Sequence, residues 1–575
     1  MMKELSIKTR SKLEWLGQIV YFTSLTIIFS RPLLSRIGTH VANRLGDNLY
    51  FIWQIGWFKQ ALFDLGQLPH HSHLLNFPDG YRLAISEIAP LQLGFALPFA
   101  LFGELVLGYN VAMLLTFVLA GLTMSAWVQH LSGSKMAGVL AGSAYAFLPY
   151  HIAHFLIGHL NISAIQWFPL YFWGFFEILH GKEPRKRNVF LLAAGLSGIA
   201  LSSQYYLYAT LLVSMVLLVF YLTFMQRDRW LNVEMWKRFL FAGLLAAPAL
   251  LVGILPYMMV HRSATSARTL GDVMIFSASI TDFLLPATRH FVLGKWVGGT
   301  FPRDLWNEAT LYLGLPVSVL GLLALKKRKQ TSQSELLPLL LVGFIISVVL
   351  AMGTNLTWME EPVRLQPDSW LVRLLPSVDG LVLLPGYYLF KHLPFYDLMR
   401  AWMRIGIFAM LFNCAAAGLG LQWLLGRVKE RMRIPVVLLA LGLILLDFYV
   451  SPISLSEVRP RQVDLWLAEK PYGGQVQLPF RQSFEEFSLY ATLYNQKPLM
   501  GTIRTFPSNR FFQIDPLLEN FPDEASVAAL QEVGVRYIVL DESYYPLNDT
   551  FLQLCADLGL RWQVSLDGQS VFLLP

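Results

Sequence analysis

NVFLLAAGLSGIALSSQYYLYATLLVSMVLLVFYLTFM, residues 188–225, is the stretch whose reading decides the fold. It contains two apolar runs, 188–203 and 205–225, joined at Gln204-Tyr205-Tyr206. Lys182-Glu183-Pro184-Arg185-Lys186-Arg187 precedes it, and a second basic stretch, Arg227 to Arg238, follows it. A helix needs about 20 mostly apolar residues to cross the hydrocarbon layer, because lipid offers the backbone no hydrogen-bond partner. The segment therefore predicts a helical hairpin through a bilayer, with both cationic ends on one side.

The same pattern extends in both directions. Apolar runs of spanning character lie near 16–34, 88–107, 110–130, 137–157, 161–180, 188–203, 205–225, 238–260, 309–325, 335–353, 402–425 and 434–450. Cations cluster at the N-terminus, in the two stretches just named, at Lys326-Lys327-Arg328-Lys329 and at Arg427 to Arg433. Juxtamembrane Lys and Arg are drawn to anionic lipid by about 1 kcal/mol each, so these runs are expected in the cytoplasm. The loops 35–87, 261–308 and 354–401, and everything after Ser451, then fall on the outer face. A cytoplasmic start and an exported tail require an odd number of crossings. One of the three runs between Glu87 and Asn161 is therefore expected to be broken or re-entrant, giving eleven or thirteen helices. The basic run 1–12 precedes the first apolar run without a small-residue cleavage site, which reads as an uncleaved first span.

The bulk numbers agree. Of 575 residues, 55% are hydrophobic and 14% charged, and the mean hydropathy is +0.48, values outside the range of soluble domains. The net charge of +7 reflects membrane topology rather than a nucleic-acid partner, since the excess cations sit between apolar segments. Cys414 lies in an apolar run and Cys555 in the tail, so no bridge or metal site is expected of them.

From about Leu455 the pattern changes to strand-length runs alternating with helical stretches. Strands are expected at Gln475–Leu478, Leu499–Ile503 and Arg536–Leu540, helices at Phe484–Tyr494, Glu524–Val533 and Phe551–Leu558, and a hairpin of 563–566 with 570–574 around Asp567-Gly568. The expected architecture is a polytopic α-helical membrane domain, 1–453, with a small extracytoplasmic α/β domain, 454–575.

Ionisable groups in or beside spans are informative, because each costs roughly 2.5 to 3.5 kcal/mol at mid-bilayer on insertion scales. The first outer loop carries Gly46-Asp47, then the aromatic, amphipathic stretch Phe51 to Gln60, expected to lie along the interface, and then Phe77-Pro78-Asp79-Gly80 and Glu87. Further on come Ala146 through His159 with Trp167-Phe168-Pro169-Leu170, and Leu393 through Arg404.

These passages resemble the GT-C superfamily of polytopic membrane glycosyltransferases, and within it the bacterial members related to the protein-mannosyltransferase and aminoarabinose-transferase group. The layout matches over most of the chain. The resemblance implies a hexosyl transfer from a polyprenyl-phosphate-linked sugar to an extracytoplasmic glycan, lipid or protein acceptor at the plasma membrane. Such a reaction needs a carboxylate at the interface and cations for the departing phosphate.

Asp47 stands where the superfamily keeps its first-loop acid. It reads as general base, or as ligand to a divalent cation if one is used, or as a helix N-cap. Asp79 reads as a turn residue or a catalyst, and Glu87 as a second acid. Arg400 and Arg404, four apart on one helical face with Asp397 a turn earlier, would grip a phosphate, or form an Asp397–Arg400 bridge with Arg404 snorkelling to headgroups. His154 and His159 are five apart, a spacing that does not share a helical face and argues against a metal pair. They read as interfacial hydrogen-bonding groups, with His159 in reach of phosphate or sugar. Gln204 and Tyr205 read as sugar-binding, or as part of an aromatic belt. Two other functions compete, a flippase or transporter of lipid-linked saccharides and a non-catalytic membrane scaffold. A flippase predicts repeated broken helices, and no repeat is visible. A scaffold predicts that the outer loops share no cleft.

Overall fold

The architecture is described from a computed structural model covering residues 2–181, 185–261, 268–301, 306–331, 333, 335–366, 376–394, 396–450, 453–480, 485–501 and 509–574. The chain is a polytopic helical membrane protein with a small strand-containing C-terminal region. Leu105–Ser132, Gln204–Met225, Val233–Met259 and Trp402–Leu425 are each long and apolar enough to cross a bilayer, while Pro90–Ala100, Leu315–Lys326 and Leu337–Ala351 are shorter apolar helices.

Burial sorts these helices. The most apolar window of Trp402–Leu425 is 89% buried, that of Val233–Met259 only 17%, so the former is the central post and the latter faces lipid. Small residues let neighbours approach the post closely: a Cβ on Gly418 would strike Val128, and one on Gly420 the backbone oxygen of Leu320.

Between Glu87 and Asn161 the apolar runs are shortened. Run 88–107 gives only the helix Pro90–Ala100 before a turn at 101–104. Run 137–157 divides into Lys135–Ala146 and Pro149–Ile157, because a proline without an N–H starts a new helix instead of continuing the old one. After Gly158 the backbone stays largely irregular until Trp167.

The turns that carry the cation runs meet at one end of the bundle. Arg229 donates to the Leu179 carbonyl at 2.6 Å, His180 meets Glu335 at 2.9 Å, Gln333 donates to the Leu131 carbonyl at 3.2 Å and Arg427 to Gln330 at 2.6 Å. Lys182, Glu183 and Pro184 of the first run lie outside the described residues.

The tail carries a four-stranded sheet in the order Arg561–Leu566, Gln569–Leu573, Val535–Asp541, Gly474–Leu478. The first two pairings are antiparallel and the last is parallel. Alternation sends Ile538 and Leu540 to one face with Val476 and Phe572, and Tyr537 and Val539 to the other with Val463 and Val571. The strand expected at Leu499–Ile503 is reduced to bridges from Leu499 to Leu75 and Gln475, and from Thr502 onward the segment lies outside the described residues.

The stretch expected along the interface behaves differently. Asp47–Lys59 is a helix whose residues Asn48 through Trp57 are all buried, so it shows no solvent-facing side. It packs against Pro90–Ala100 and Leu105–Ser132 below and against Glu485–Asn495 of the tail above. Trp53 donates to Thr492 at 3.0 Å, and a Cβ on Gly56 would lie 2.5 Å from the Leu493 side chain. Strand His40–Ala42 pairs antiparallel with Leu455–Glu457, so the first loop and the tail share one structure.

Candidate active site

The bundle end opposite the basic turns holds a cleft of about 100 Å³, lined by Asp47, Tyr50, Phe51, Ser86, Glu87, His159, Asn161, Ile162, Tyr205, Arg400 and Arg404. Asp47 reaches it from the first helical position of Asp47–Lys59. Gly46 is the N-cap and Asp47 makes no capping bond, which leaves its carboxylate free to point elsewhere. Oδ2 lies 2.5 Å from Nε2 of His159, and the side chain is 47% exposed to the cleft.

His159 is placed by Gly158, whose φ of +88° ends the helix Pro149–Ile157 in a left-handed turn. A Cβ there would also meet the backbone nitrogen of Asn48 at 2.5 Å, so glycine is needed both for the turn and for the approach to the Asp47 helix. The turn brings His159 back beside His154, Nδ1 to Nδ1 at 2.9 Å, although the two do not share a helical face. His154 is fully buried, and its Nε2 stands 3.8 Å from Oε2 of Glu308.

Glu308, 2% exposed, accepts from Arg404 through Nε at 3.1 Å and Nη2 at 2.7 Å. Arg404 also places Nη1 3.6 Å from Glu87 and stacks 4.9 Å over Tyr205. Glu87 accepts from Asn161, and its backbone carbonyl takes bonds from Tyr50 and Gln54, both at 2.8 Å. Arg404 is thus satisfied by two carboxylates. Arg400 lies 4.6 Å over the Phe276 ring and, among the described residues, forms no ion pair, so it is the cation left to meet an incoming anion. The expected shared helical face for the two arginines is absent, since the helix begins only at Trp402, with a short 3₁₀ turn over Trp402–Ile405, and Arg400 precedes it; both still reach the cleft. Asp397 makes no bridge to Arg400 among the described residues.

Charges tune the acids. Burial pushes the Asp47 carboxyl up, but the His159 imidazole and Arg404 outweigh it and hold the group below the usual aspartate range. Glu308 is likewise opposed by burial, yet Arg404 and His154 bring it down to about 2. Both acids therefore favour the carboxylate form at neutral pH.

Two candidates lie elsewhere. Asp79, 51% exposed, pairs with Arg510 of the tail at 2.7 Å. Gln204 donates to the Gly253 carbonyl at 3.0 Å, a contact between helices, and does not line the cleft. Glu308 was missed in the sequence, although it directly precedes an apolar run in the same way as Glu87. Among the described residues, His154, His159 and Glu308 are the one group of three whose donor atoms, all within 4.8 Å of one another, are close enough to share a metal ion. Doing so would displace the contact between the two Nδ1 atoms.

Neither a family model nor a curated protein matches the chain. Among solved structures, the arabinofuranosyltransferase AftD from Mycobacteria is 14% identical with a TM-score of 0.56, covering 98% of this chain and 40% of that one. A mutant form of the same protein gives 13% identity and a TM-score of 0.51 over 98% of this chain and 41% of that one. ArnT from Cupriavidus metallidurans, in the apo state, is 13% identical with a TM-score of 0.46, covering 97% and 98% of the two chains. The chain spans about 40% of the length of AftD.

Proposed function

We propose that the chain, which has the GT-C fold of membrane glycosyltransferases, moves a sugar from a polyprenyl-phosphate-linked donor to an extracytoplasmic acceptor, with Asp47 as base. One observation carries the reading: Asp47, Glu87, His159, Tyr205, Arg400 and Arg404, drawn from segments far apart in sequence, line a single cleft. A scaffold has no need of such a cluster, since each buried charge costs stability unless paired.

In this mechanism the donor's prenyl chain lies among the helices, held by roughly 0.8 kcal/mol per buried methylene. Its phosphate meets Arg400, with Arg404 behind it. The acceptor hydroxyl gives its proton to Asp47, its oxygen attacks the anomeric carbon, and the bond from that carbon to the phosphate oxygen breaks. The electron pair departs with the polyprenyl phosphate, whose charge Arg400 offsets in the transition state. Attack from the face opposite the leaving group inverts the anomeric centre. Tyr205 and Asn161 are placed to contact sugar hydroxyls. The cleft and tail face the outside of the plasma membrane and the basic turns the cytoplasm.

The test is to reconstitute the protein in nanodiscs with a panel of undecaprenyl-phosphate-linked hexoses and pentoses and membrane-derived acceptors, following release of undecaprenyl phosphate. Wild-type protein should release it from one donor and Asp47→Asn should not. Full release by Asp47→Asn sinks the assignment, as does labelling of a cysteine at position 47 only from the cytoplasmic side.

A further inference from the structure

Asp47, His159, His154 and Glu308 form a continuous chain of two carboxylates around two imidazoles. Its contacts are 2.5 Å from Oδ2 to Nε2, 2.9 Å from Nδ1 to Nδ1, and 3.8 Å from Nε2 of His154 to Oε2 of Glu308. Asp47 and His159 line the cleft, whereas His154 and Glu308 lie behind it. His154 has no exposed surface, and its Nε2 has no hydrogen-bond partner. The ring is pinned edge-on against Tyr150, with centroids 4.3 Å apart.

Hydrogen placement follows from the donor and acceptor inventory. Where two Nδ1 atoms face one another, one carries the hydrogen and the other the lone pair. A lone pair on Nε2 of His154 would face the Glu308 carboxylate with both side chains buried, which is repulsive, so the hydrogen belongs on that nitrogen. Nδ1 of His154 is then the acceptor, and His159 must donate from its own Nδ1. Nε2 of His159 meets Oδ2 of Asp47 at 2.5 Å, too close for a lone pair to face a carboxylate, so a hydrogen lies between them and His159 donates there as well. The logic is that of outer-sphere groups fixing a histidine tautomer.

We propose that His154 and Glu308 are positioning residues that act through His159, holding its ring so that Nε2 donates to Oδ2 of Asp47 and leaves Oδ1 to receive the acceptor's proton. This rests on the glycosyl-transfer reading above and names how its base is oriented. The O–H bond of the acceptor breaks, the proton settles on the Asp47 carboxylate, and the oxygen's electron pair forms the new glycosidic bond as the phosphate leaves with its own pair. Arg404 clamps Glu308 and thereby holds the far end of the chain still.

A double-mutant cycle on the full chain in nanodiscs tests this. His154→Ala should lower kcat about tenfold or more with KM little changed, yet cost less than twofold when His159 is already Ala. His154→Asn, whose amide oxygen can take the place of the Nδ1 lone pair, should recover a large share of the loss, which guards against mere misfolding of the alanine variant. Equal losses from His154→Ala in both backgrounds, or no recovery with Asn, overturn the proposal. So does a wild-type activity that EDTA abolishes and one divalent ion restores, because the imidazoles would then be ligands. If Asp47→Asn is inactive while the cycle is additive, the positioning chain alone fails; if Asp47→Asn is fully active, the reaction assignment fails with it.

Discussion

Asp47 and Asp79 are both acids of the first loop, both beside a glycine, and both were candidates on sequence. Their surroundings separate them. Asp47 opens into a cleft from the end of a buried helix and meets an imidazole at 2.5 Å, whereas Asp79 lies half exposed on the surface and spends its carboxylate on Arg510. The groups that face an acid set what it can do: an imidazole in a cleft in one case, a surface guanidinium in the other.

The contrast is broken most directly at Asp47. Asp47→Asn should reduce sugar transfer by about 10²- to 10⁴-fold, the range for losing a positioned base, with unchanged thermal unfolding in detergent. Next in size is Arg400→Ala, expected to cost about 10²- to 10³-fold in kcat as an electrostatic donor to the leaving phosphate. Arg400→Lys should recover part of the rate, and equal activity of all three would remove Arg400 from the site. A third variant sharpens the comparison through pH. The His159 imidazole helps hold the Asp47 carboxyl below its ordinary range against burial. Without that imidazole, burial and the Glu308 charge push the group back up, so the acid limb of kcat/KM against pH should move to higher pH in His159→Ala. A limb that stays put or moves lower contradicts this sign. The smallest effect is expected at Asp79. Asp79→Asn should leave transfer within about twofold and stability within about 1 kcal/mol, as for exposed ion pairs, and a loss comparable to that of Asp47→Asn would erase the distinction.

Much of this was legible because charged residues are costly beside apolar runs. Asp47, Glu87, Arg400 and Arg404 stand out in the sequence for that reason, and Glu308 gives the same signal at the start of the run near 309. The tail's strands and helices could be read from alternation and from the Asp567-Gly568 turn, since both signals are local. The facing pair His154 and His159 could not. Helical-face reasoning applies only as far as Ile157, and a left-handed Gly158 then redirects the chain. Nor could the burial of Asp47–Lys59, because the helix that covers it begins at Glu485 and no local pattern announces so distant a partner.

That distance has a consequence for biogenesis. The bond from Trp53 to Thr492 joins residues 439 positions apart. During vectorial synthesis the element bearing the first acid must wait, its Trp53 unpaired, until the helix Glu485–Asn495 has been made and has arrived on the same side. Contacts of such long sequence separation form late and leave apolar surface open to misassembly meanwhile. Completion of the packing around Asp47–Lys59 is thereby tied to arrival of the tail, so that a chain stalled midway carries every helix made so far and still leaves the helix beneath the cleft uncovered.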